Sequence, residues 1–139
     1  MCIRDSNYVA YAWTEIPGFS KFGKYTGSGN GDGPFLYMGF KPALILVKES
    51  SSANYWGVFD TTRRDYNPNT LRLTNTYNYA ENDTAEGAAG SNAMDFLSNG
   101  IKMRGTDTTT NRSGSTYVYA AWAEHPFNGD GENAFATAR

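Results

Sequence analysis

The chain has 139 residues, enough for one domain with its own core, and a net charge of −2 that offers nucleic acid no basic surface. Ten tyrosines, three tryptophans and many Gly, Asn, Thr and Ser residues suit strands joined by turns better than helices. No stretch approaches the roughly 18 apolar residues of a membrane span. Cys2 alone gives no disulfide framework or thiolate metal site, and His125 alone removes the commonest general base from most of the chain.

Met1–Ser6 is polar, lacks the apolar core of a signal peptide and fits nothing that follows. It reads as a non-native leader, of the kind that adapter-derived sequence adds to truncated metagenomic reading frames. The true protein is then expected to extend further upstream. The organisation read from the chain is a leader over 1–6 and a strand over 7–17 resembling the end of a preceding repeat. A single β-sandwich over 18–127 and a C-terminal tail over 128–139 follow.

Tyr8–Thr14 is the first expected strand. The stretch Tyr8–Pro17, YVAYAWTEIP, is echoed 109 residues later by Tyr117–Pro126, YVYAAWAEHP, with six of ten positions identical. The echo keeps the Trp at 13 and 122 and the Glu-x-Pro exit at 15–17 and 124–126. It suggests the last strand of a preceding copy in a tandem array. In a single copy, the two echoing strands are expected side by side in one sheet.

Thr26–Gly33 holds four glycines in eight residues. No Gly-Lys-Ser/Thr follows to open a helix, and Asn30 and Asp32 lack EF-hand spacing, so a turn using glycine at positive φ is expected. Phe35, Tyr37 and Phe40 suggest a strand running into a bend at Gly39. Ala43–Val47 is the densest apolar run; its length is that of a strand, and it is expected at the centre of a sheet, covered on both faces.

Tyr55–Asp60 reads as another strand, Asn67-Pro68-Asn69 as a turn, and Leu71–Asn75 as a half-buried strand. Thr76–Asn92 has no period and reads as a long loop. Ser98-Asn99-Gly100 between alternating segments signals a tight hairpin, with Phe96, Ile101 and Met103 inward and Asp95 toward solvent. Gly105–Ser115 is a polar loop and Thr116–Ala123 the closing strand. The sum is an all-β chain, a jelly-roll-like β-sandwich of eight or nine short antiparallel strands.

The segments Gly18–Gly27, Asp32–Phe35, Gly39–Lys48, Asp60–Arg64, Asp95–Arg104, Gly114–Tyr119 and Ala123–Phe127 resemble, in matching order, a domain of unknown function. That domain occurs in bacteriophage tail-fibre and other tail proteins, many of them from marine phages. Ala136–Arg139 is similar to the short Ala-Thr-Ala-Arg-like tail with which members often end. The resemblance implies a virion structural or adhesion module near a fibre end, assembled as a homotrimer and acting outside the cell. Its partner would be a host surface glycan or protein, with no nucleic acid and no membrane insertion. No catalytic residue is carried over by the resemblance.

The residues themselves point the same way. No Ser/His/Asp constellation exists, and of the acids only Glu15 and Glu124 recur in the echo, both at strand exits where a structural role is expected. No enzyme, cofactor or metal site is expected, and a polysaccharide depolymerase fragment is the least favoured reading. Glycan binding asks only for an aromatic platform and polar partners. Tyr55 and Trp56 are candidate platforms, along with Tyr66, Tyr77 and Tyr79; Asp60, Arg63, Arg64 and Asn111 are candidate polar partners. The alternative is that Trp13, Trp56 and Trp122 serve core or trimer packing, with the domain a purely structural spacer in a tandem-domain tail protein.

Overall fold

The computed structural model describes residues 10–62, 67–69, 73–74 and 93–126. Among these, eight strands form two antiparallel sheets packed as a sandwich. The strands are β1 (Ser20–Thr26), β2 (Phe35–Tyr37), β3 (Pro42–Glu49), β4 (Trp56–Asp60), β5 (Leu73–Thr74), β6 (Met94–Leu97), β7 (Gly100–Met103) and β8 (Thr116–Ala123). The larger sheet runs β1-β8-β3-β4-β5 and the smaller β2-β7-β6. The pairs β1·β8 and β2·β7 are nested as in a jelly roll, whereas β3·β4 and β6·β7 are local antiparallel pairs.

The apolar run does form the middle strand, β3, between β8 and β4. Ile45 and Val47 point inward and are fully buried with Phe59 of β4 and Tyr117 and Ala121 of β8. Leu36, Met94, Phe96, Ile101 and Met103 meet them from the smaller sheet. Each large aliphatic buried in this way contributes about 1.5–3 kcal/mol. The opposite face of β3 departs from expectation: Leu44 and Leu46 are only half-buried, because no second layer among the described residues covers them.

Of the first expected strand, Tyr8 and Val9 lie outside the described residues, and residues 10–15 are exposed with no strand partner among the described residues; the first strand instead begins at Ser20. Nor does this segment lie beside β8 in the sheet, since β1 and β3 occupy both edges of β8. The chain turns at Gly18 (φ 73°), and an isolated bridge joins Ile16 to Ser20. The Ser20 hydroxyl holds that turn, donating to the Thr14 carbonyl at 3.0 Å and accepting from the Ile16 N–H at 3.1 Å.

The hairpin is present, but its two-residue loop is Ser98-Asn99, with Gly100 already paired to Leu97 and Tyr37. Gly100 is needed for closeness: a β-carbon there would stand 2.1 Å from the Leu36 carbonyl oxygen. Within the glycine-rich turn only Gly29 has positive φ, at 66°. At Gly27 the requirement is again close approach, to the Arg112 carbonyl oxygen at 2.2 Å. Asp95 is not simply solvated; its carboxylate meets Arg104 Nε at 2.6 Å.

The loop before β8 is bolted down by buried polar groups. Asn111 is fully buried; its carbonyl oxygen accepts from the Ser28 N–H at 2.8 Å, and its amide donates to the Asn30 and Gly105 carbonyls at 2.9 and 2.7 Å. Glu49, 1% exposed, accepts from the Asn54 amide at 3.0 Å and faces Arg112 Nη1 at 3.4 Å. Burial alone would raise its pKa. Hydrogen bonds from Ser115, Asn54 and Ser52, with the Arg112 charge, outweigh burial and hold the carboxyl at about 2.

Candidate functional site

Antiparallel register and strand alternation assign the open face of the five-stranded sheet residue by residue. One row across four strands reads Phe22, Ala120, Leu46 and Val58. The row on one side reads Lys24, Val118, Lys48 and Trp56, and the row on the other reads Ser20, Trp122, Leu44 and Asp60. Val118 and Trp56 remain 43% and 48% exposed. Phe22 and Trp122 meet edge to face with centroids 5.9 Å apart, and Trp13 adds a second edge contact to Trp122, also at 5.9 Å. Tyr11 stacks on Trp13, and the two are 76% and 59% exposed. Aromatic and aliphatic side chains thus form an apolar row that no described residue covers, bordered by Lys24 and Lys48 on one side, and such a surface marks interaction sites more often than scattered single residues do.

A groove of about 350 Å³ lies where the segment before β1 passes the bend after β2. Met38, Phe40 and Pro17 give it apolar walls, and Glu15 and Lys21 place an ion pair at 2.7 Å on its lining. The Lys21 hydrogen bond, and a weaker one from the Phe22 N–H at 3.4 Å, lower the Glu15 pKa. The same partner raises Lys21, so both groups are charged at neutral pH. Gly39, at φ 79°, lines the groove without a side chain, and the Tyr37 hydroxyl comes within 3.7 Å of where its β-carbon would be. The Tyr37 ring, 65% exposed, therefore stands at the rim.

The candidates from the sequence do not converge on one place. Tyr55 and Trp56 adjoin at the start of β4, each 48% exposed. Asp60 ends the same strand on Trp56's face, about 13 Å along at strand spacing. Asn111 lies inside the fold as a loop clamp, so it does not present its amide to a surface ligand. Arg63, Arg64, Tyr66, Tyr77, Tyr79 and the Thr76–Asn92 loop lie outside the described residues. The groove was missed because its walls come from two separate stretches, 15–21 and 38–40; only the recurring Glu15 hinted at it.

Fold and surface together define an all-β, two-sheet antiparallel sandwich with one aromatic face left open. The chain belongs to the family described as a domain of unknown function, DUF7483, which matches residues 2–126. No curated protein and no solved structure matches the chain.

Proposed function

We propose that this domain is a structural and adhesive module of a phage tail fibre, a homotrimer that holds a bacterial surface glycan or protein and carries out no catalysis. The observation that carries the binding part is the groove: an apolar floor, a tyrosine ring at the rim and a neutralised Glu15–Lys21 pair. A sugar ring offers one apolar face and a rim of hydroxyls. Tyr37 suits the first, and the carboxylate and ammonium suit the second. The volume sits at the lower end of the range for small-ligand sites, about 300–1,000 Å³. The open apolar row on the larger sheet supports the assembly part, because an oligomer would cover it. On this reading the protein acts on the virion, outside the cell.

A glycan array screened with residues 7–139, with and without EDTA, tests the binding part. Saturable binding to one glycan class, abolished by Tyr37→Ala, is the expected outcome. Loss on Trp56→Ala with Tyr37→Ala unchanged moves the site to β4, and a silent array from folded protein sinks the glycan reading. The echo between 8–17 and 117–126 favours a second reading, in which the domain is a spacer repeated along a tail protein.

A further inference from the structure

Segment 10–17 has a β8 sequence without a β8 environment. In β8, Tyr117 and Ala121 are fully buried on the inner face while Trp122 lies on the outer face. The echo puts Tyr8 and Ala12 at those inner positions and Trp13 at the outer one. Yet the described part of the segment, residues 10–15, is exposed and has no strand partner among the described residues; of its carbonyls Thr14's is held, by the Ser20 hydroxyl at 3.0 Å. An extended strand with β-forming side chains and unpaired N–H and C=O groups is a template for a sheet. The slot it fits, between a β1 and a β3, is already filled in this domain by β8 itself. The fitting slot therefore lies in another copy.

We propose that residues 8–15 are the closing strand of a second copy of this domain, lying immediately upstream in the parent chain. One further observation specifies how the copies join. Taking the 109-residue offset as the repeat, the unit runs from Gly18 to Pro126 and the joint is the 16–19 turn. That turn is built rather than loose: it is closed by the Ile16–Ser20 bridge and by Ser20, which is 2% exposed. In the assembled pair, Trp13 takes Trp122's position on the outer face of the upstream copy. The Trp13–Trp122 contact at 5.9 Å then becomes the contact between copies, joining their aromatic faces into one surface. The inference deepens the repeat reading, but it concerns folding alone, so the glycan array does not bear on it.

The test is a chimera in which residues 18–116 are placed directly before Tyr8 of the full chain, so that 8–17 stands where 117–126 would. A control chain carries 18–126 before Gly18, which gives the upstream copy its genuine β8. Hydrogen exchange is read at residues 10–14. In the single-copy chain these amides should exchange freely. In the chimera they should slow at least about 100-fold, approaching β8. Ala12→Asp should erase that protection and leave the downstream copy folded. A control that folds beside a chimera whose residues 10–14 stay unprotected overturns the proposal, as does protection that survives Ala12→Asp.

Discussion

Tyr25 and Tyr117 stack with ring centroids 5.0 Å apart and planes 14° from parallel, and their hydroxyls donate to two carbonyls of one loop. Tyr25 reaches the Thr110 carbonyl and Tyr117 that of Thr108, while the Tyr117 hydroxyl also accepts from the Arg112 N–H at 2.8 Å. Burial, then the neighbouring Tyr117, pushes the Tyr25 pKa up, so this hydroxyl stays a donor at neutral pH. One stacked pair fastens both the β1·β8 seam and the loop preceding β8.

Tyr117→Phe keeps the ring and removes two hydrogen bonds, leaving the Arg112 N–H to find water while the Thr108 carbonyl keeps the Asn54 amide at 2.7 Å. A loss of about 1–3 kcal/mol is expected, read as a lower urea midpoint at unchanged slope. A midpoint equal to that of the parent would mean that the hydroxyl has no structural part.

Stability should fall in acid through Glu49. Its carboxyl lies at about 2 in the fold, against an ordinary 4.5. A depressed pKa contributes stability above 4.5, and the contribution disappears as pH falls from there toward 2. The amount at stake is about 3 kcal/mol. Denaturant midpoints at pH 7, 4 and 2.5 should trace this loss, and Glu49→Gln should flatten the curve by removing its largest component. An equally steep curve in the variant would assign the acid sensitivity elsewhere.

Asn111→Ala should cost about 2–4 kcal/mol, because one buried amide serves three loop groups. Per folded molecule, ligand binding should be unchanged. A binding defect without a stability defect would restore Asn111 as a ligand contact.

The glycines separate by what they face. Gly100→Ala drives a methyl into the Leu36 carbonyl and should cost about 3 kcal/mol by prising β2 from β7. Gly23→Ala meets only the outer end of the Tyr119 ring, 2.8 Å away, which can swing aside, so about 1 kcal/mol is expected. Thermal melts of the two variants should differ in that order; the reverse order would contradict the packing described.

If the open sheet face assembles the fibre, Val118→Glu should leave the protein monomeric without destabilising it, since Val118 is 43% exposed and lies opposite Lys24 and Lys48. Light scattering over a concentration series reads this directly. A parent chain that is already monomeric at every concentration would remove the assembly part of the proposal.

The strands legible in the sequence were those whose signal is local. β3 announced itself by its apolar run, β6 and β7 by alternation around a turn, and β8 by aromatic and small residues in period two. β1 was missed because SKFGKYT mixes two lysines and a glycine into its pattern; pairing along the whole of β8 makes it a strand. Residues 10–14, the described part of the expected Tyr8–Thr14 strand, were misread for the opposite reason. Their propensity matches that of β8, but propensity does not supply the two neighbours that β8 has. The clamp at Asn111 and the groove were illegible because they join stretches tens of residues apart.

The order of the larger sheet also bears on how the domain comes into being. β8 is the last of the described strands in the chain, yet it is the only link between β1 and β3. Until it arrives, β1 has no partner in its sheet, and Tyr25 has no ring to stack against. The decisive contacts close loops of most of the domain's length, so folding should be slow, on the order of milliseconds to seconds, and concerted. During synthesis the chain would carry its unpaired apolar strands until the final one emerges, a window in which neighbouring unfinished chains compete for the same edges.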